Sequence, residues 1–158
     1  MKKMIGILEE LAKENPGRYN ADLAGSYSRA GIFYDERGKF EQAQKYFLAA
    51  IELYKTLAEE NPDRYNADLA MSYNSAGIFH ENQGNPEEAE KYYLAAIKIR
   101  EKLAKANPDR YNADLAVSYF NYGLFKKDDR YLTLAYELAG QNMHNPMCRR
   151  IVEMIENE

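Results

Sequence analysis

One cysteine, Cys148, and no tryptophan stand out as scarcities in this chain of 158 residues. A single thiol excludes an internal disulfide framework and accords with a reducing compartment, so the reading is cytoplasmic. No apolar run is long enough to cross a bilayer. Met1-Lys2-Lys3 leads into neither an extended apolar stretch nor a small-residue cleavage site, so neither a membrane partner nor a signal peptide is expected. Basic clusters are short as well. Lys126-Lys127 is followed at once by Asp128-Asp129, and the net charge is −4. A nucleic-acid binder would carry a basic stripe, whereas the middle of this chain is acid-rich, with Glu87, Glu88, Glu90 and Glu101.

The groups that carry chemistry are just as sparse. Neither a His-x-x-x-His nor a Cys-x-x-Cys spacing occurs, so no metal is expected. His144 and Cys148 are four residues apart but straddle Asn145-Pro146. Glycine-rich phosphate loops, nucleophile elbows and kinase signatures are absent. His80 reads as a packed helix residue, and Cys148 as a small residue beneath a terminal helix. Carboxylate pairs such as Asp35-Glu36 and Glu87-Glu88 read as solvated or capping charges. The chain is accordingly read as non-enzymatic and without a cofactor.

What the chain does have is repetition. Its 14 tyrosines recur at fixed intervals, and residues 11–56, 57–102 and 103 onward align at a period of 46. Such self-similarity marks a solenoid, in which each unit buries its apolar face only by stacking on a neighbour. Within a unit, Asn66 (Asn20 in the copy before) reads as the N-cap of a first helix, with Asp68 in its first turn. Apolar residues then recur at helical spacing from Leu69 to His80. Gly84 reads as a left-handed stop, and Asn85-Pro86 as the start of a second helix lined by Ala89, Tyr93 and Ala96. Asn107-Pro108 ends that helix, because proline disfavours helix in the residue before it. The unit therefore reads as helix, tight turn, longer helix, turn.

The ends depart from the pattern. Residues 1–18 align with 47–64, the second helix of a unit without its first. Two readings stay open: a segment of a longer array, or a half-repeat acting as a cap. After Phe125 the third copy drifts, with Arg130 at the place of the turn glycine and a shorter helix to Asn142. Asn145-Pro146 opens a last amphipathic helix. The expected organisation is one domain over 1–158: half-repeat 1–18, repeats 19–64 and 65–110, a divergent repeat 111–142 and a cap helix 143–158, about eight helices in all.

These residues resemble the tetratricopeptide repeat, whose signature sets an aromatic and a glycine on the first helix and an alanine, an aromatic and a proline later. The aromatic is Tyr27, Tyr73 and Tyr119; the glycine is Gly31, Gly77 and Gly123; the alanine is Ala43, Ala89 and Ala135. Phe47 and Tyr93 follow, then Ala50 and Ala96, with Pro62 and Pro108 delayed. The common unit has about 34 residues, so the chain is similar to the long-repeat branch found in kinesin light chains. Ala30, Ala76 and Tyr122 replace the usual leucine, and Phe33, Phe79 and Phe125 are expected to fill the lost volume.

The resemblance implies an all-α, right-handed solenoid of tandem helix-turn-helix repeats, with first helices lining a concave groove. The positions it places there are Ser28, Ile32 and Asp35, then Asn74, Ile78 and Glu81, then Phe120, Leu124 and Lys127. An apolar floor with polar walls suits an extended peptide or a partner helix. The lysine-based carboxylate clamp known in the family is not implied, since Ser28, Ile32, Met71, Ser75 and Asn121 stand at the matching positions. The expected function is a protein-interaction scaffold binding a protein or peptide. The alternative is a self-assembling unit, or part of a longer array without its own ligand, associating through the N-terminal half-repeat.

Overall fold

The computed structural model describes residues 1–157. Among them the regular structure is helical: α1 (Lys2–Glu14), α2 (Pro16–Asp35), α3 (Phe40–Glu60), α4 (Pro62–Asn82), α5 (Pro86–Ala106), α6 (Pro108–Lys126), α7 (Asp129–Gly140) and α8 (Pro146–Glu156). Each helix packs on the next in sequence, α2 also touches α4, and α8 also packs on α6. That is a tandem array of helix pairs. Among the described residues, no helix is long and apolar enough to cross a membrane.

The first helices begin earlier than the sequence reading places them. Asn15, Asn61 and Asn107 are the caps, each accepting from the backbone N–H three residues on at 3.2 Å, with proline directly after each. Asn20 and Asn66 lie inside α2 and α4, and Asp63, not Asp68, occupies the first turn of α4. One dipeptide does both jobs. Proline keeps the residue before it out of the helix, at φ −145° and ψ 83° for Asn61. The asparagine side chain then satisfies an N–H that the new helix leaves free. A single non-helical residue therefore separates one unit from the next, and a unit phased on helices runs 16–61 and 62–107. The boundaries at 64 and 110 fall inside first turns. The extra length is shared as well: α2 and α3 have 20 and 21 residues, and α4 and α5 have 21 each, so the second helix is at most one residue longer.

Within each pair the turn is left-handed at Gly38 (φ 66°) and Gly84 (φ 71°), as expected. Asn85 holds the N-cap position of α5 but makes no side-chain cap bond. In the third copy the turn comes three residues before Arg130. Lys127 takes the left-handed conformation at φ 52°, and Asp128 caps α7 by accepting from the Arg130 N–H at 3.0 Å.

The helix pairs close on their glycines. A Cβ on Gly31 would come within 2.7 Å of the Phe47 ring, and one on Gly77 within 2.9 Å of the Tyr93 ring. On Gly123 it would meet Leu132, including its backbone nitrogen at 3.0 Å. Ala24, Ala30, Ala43, Ala70, Ala89, Ala96, Ala116 and Ala135 are fully buried around these contacts. Phe79 is buried and reaches Phe47 of the preceding unit at 5.3 Å between ring centroids, while Phe33 and Phe125 are half-buried beside the core. Cys148 lies on α8 itself, on its buried face, in one cluster with Phe120 and Ile151.

Candidate interaction groove

Helical phase leaves one repeated apolar position per first helix uncovered, and α4 exposes Met71 as well. Ile32 on α2, Ile78 on α4 and Leu124 on α6 are 45%, 39% and 39% exposed. They follow one another at 46-residue spacing, so stacked units carry them as a row. Between α2 and α4 a crevice of about 250 Å³ opens, with Ser28, Ile32, Asp68, Met71, Ser72 and Ser75 among its lining residues. Apolar and hydroxyl groups thus share one concavity, the mixture usual for a recognition site.

The other expected groove positions divide. Ser28 Oγ donates to the Ala24 carbonyl at 3.3 Å and stands 3.4 Å from Ser72 Oγ, bridging α2 and α4. Asp35 is half-buried, which pushes its carboxyl above the usual range, and the neighbouring Glu36 pushes the same way. Asn74 is buried and accepts from Asn121 Nδ2 at 3.3 Å, a link between α4 and α6. Its amide oxygen is thereby engaged within the stack.

One position needs correction, Phe120, and two others, Glu81 and Lys127, have local roles of their own. Phe120 is buried in the core cluster with Cys148 and Ile151, because α8 folds over α6. Glu81 accepts a hydrogen bond from the Tyr93 hydroxyl at 2.6 Å, so its carboxylate is turned to α5. Lys127 lies past the end of α6 as its left-handed cap.

Residues outside the expected set complete the crevice. Gly25, Arg29, Tyr54, Asp68, Met71, Ser72 and Ser75 all line it. Tyr54 belongs to a second helix, so a rule that reads only first helices passes over it. Asp68 carries the signal of a helix-start charge in the sequence, which hides its place in the crevice. Burial raises its carboxyl pKa, and burial likewise raises the Tyr54 phenol, with Asp68 adding to it. Among the described residues no group of three or more His, Cys, Asp or Glu side chains is placed to hold a metal.

Residues 24–57 and residues 69–109 each match a family model described as tetratricopeptide repeat. No curated protein matches the sequence. Among solved structures, the crystal structure of BtubC (BKLC) from P. vanneervenii is similar, with 21% sequence identity and a TM-score of 0.64. The alignment covers 99% of this chain and 57% of that one, so the chain spans little more than half of the structure it matches. At that identity the likeness is one of fold.

Proposed function

Because the chain belongs to the tetratricopeptide-repeat family, whose repeats generally mediate protein–protein interaction, we propose that it holds a peptide or partner segment along its first helices. The observation that carries this reading is the exposed row of Ile32, Ile78 and Leu124 beside the crevice between α2 and α4. Aliphatic side chains left about two-fifths exposed at each unit, rather than once, give an extended ligand several anchors in register.

The test is selection of a random peptide library on the chain, followed by affinity measurement by fluorescence anisotropy. Ile32→Glu combined with Ile78→Glu sets two charges on the row without touching the buried contacts. The double variant is expected to keep its helicity and lose affinity at least tenfold, about 1.4 kcal/mol. Peptides bound equally by the chain and the double variant would remove the groove from the reading.

A second reading, association between copies, draws on α1. Met4 and Ile7 there are 50% and 54% exposed and line a separate open concavity.

A further inference from the structure

The repeat supplies its own comparison. A serine recurs at Ser26, Ser72 and Ser118, buried each time, and an aspartate four residues earlier recurs at Asp22, Asp68 and Asp114. Around two of these serines the chain places one of its own guanidinium groups. Arg29 Nη2 donates to Ser26 Oγ at 3.3 Å. Arg100, 6% exposed, donates through Nη1 to Ser118 Oγ at 2.7 Å and to the Asp114 carbonyl at 3.0 Å. Arg29 is itself exposed, so the burial argument rests on Arg100: burying a guanidinium is costly unless acceptors await it, and beside Ser118 the repeat supplies them.

The middle unit has the acceptors and lacks the arginine. At the place of Arg100 stands Tyr54, and at the place of Arg29 stands Ser75. The Tyr54 hydroxyl lies over Gly25, 3.4 Å from where a Cβ would sit, and a space of about 250 Å³ remains beside Asp68 and Ser72. Ser72 Oγ has only the 3.4 Å approach of Ser28 Oγ. Asp68 is half-buried and, among the described residues, forms no ion pair within 4 Å. Arg29 also lines this space but gives its Nη2 to Ser26.

We propose that the crevice between α2 and α4 is a subsite for an arginine side chain of the bound peptide, its guanidinium donating to Ser72 Oγ and to Asp68. The inference rests on the groove reading above and names what that groove selects. Arginine suits the site better than lysine because a planar fork of N–H groups can meet a hydroxyl and a carboxylate together.

The test needs no natural partner. The ¹⁵N-labelled chain is titrated with N-acetyl-arginine methylamide and, in parallel, with the neutral isostere N-acetyl-citrulline methylamide. Expected are saturable shifts of the Asp68, Ser72 and Ser75 amides with the arginine probe, and binding about tenfold weaker with citrulline. Tyr54→Arg places a guanidinium from the chain itself in the crevice and is expected to abolish the response; Asp68→Asn is expected to weaken it with the fold retained. Equal shifts from both probes, no saturable response at Ser72, or a full response in Tyr54→Arg would overturn the proposal. Selected peptides measured on the same sample separate the two readings. A silent crevice with retained peptide binding removes the arginine subsite alone, and a saturating crevice with no peptide binding removes the groove reading.

Discussion

At the residue scale the most exposed liability is His80. Its imidazole is buried, stacked on Tyr92 at 5.4 Å between centroids, and its Nδ1 has no hydrogen-bond partner. Burial pushes its pKa below the ordinary value; Glu88 pulls it up and Lys91 down, both less strongly. The unfolded chain takes up a proton near pH 6.5 while the folded chain does not. The unfolded state thus binds more protons, and stability falls as pH drops below about 6.5 toward the folded-state pKa. The first unit has Tyr34 at this position, stacked on Tyr46 at 5.4 Å. His80→Tyr is therefore expected to flatten the fall in melting temperature between pH 7.5 and 5.5. Melts followed by circular dichroism at several pH values check this, and an unchanged slope in the variant would acquit His80.

At the scale of helix pairs, stability turns on how closely two backbones approach. Alanine in place of a helix glycine is ordinarily favourable by about 0.5–1 kcal/mol. A Cβ added to Gly6 in α1 would have nothing within 4 Å, so Gly6→Ala should show that gain. Gly77→Ala should go the other way, because its Cβ would sit 2.9 Å from the Tyr93 ring, and overpacking of that kind costs about 1–3 kcal/mol. Gly123→Ala should be worse still. Its Cβ would press on the backbone of Leu132, which cannot swing aside as a ring can. Urea denaturation of the three variants gives the order directly; equal effects at all three sites would mean that the close approach carries no energetic weight.

At the scale of the whole molecule, all six methionines lie on the surface: Met1 and Met4 on or beside α1, Met71 in the groove, and Met143, Met147 and Met154 near α8. Methionine adapts readily to irregular partners, and it marks both ends of the stack as well as its middle. The reading in which copies associate predicts a sedimentation coefficient that rises with concentration. Met4→Lys with Ile7→Lys should abolish that rise while the melting temperature holds. A chain that sediments as a monomer throughout would leave the groove as the sole interaction surface of the two.

What the sequence by itself determined is local or periodic: the 46-residue unit, the pairing of helices and the left-handed glycines at Gly38 and Gly84. Capping, proline restriction and apolar spacing act within a few residues, so they can be read along the chain. Even there, two competing asparagines in Asn-Pro-Asp-Arg-Tyr-Asn were told apart only by the structure, which gave the cap to the one before proline. Tertiary packing alone decided which faces stay open. Ser28, Asn74 and Phe120 share a register position, yet Ser28 lines a crevice, Asn74 is tied to Asn121, and Phe120 lies under α8. Tyr54 and Arg100 likewise share one position; Tyr54 borders a crevice, whereas Arg100 is buried and bonded to Ser118. A side chain's exposure depends on what lands above it, and that comes from a different part of the chain.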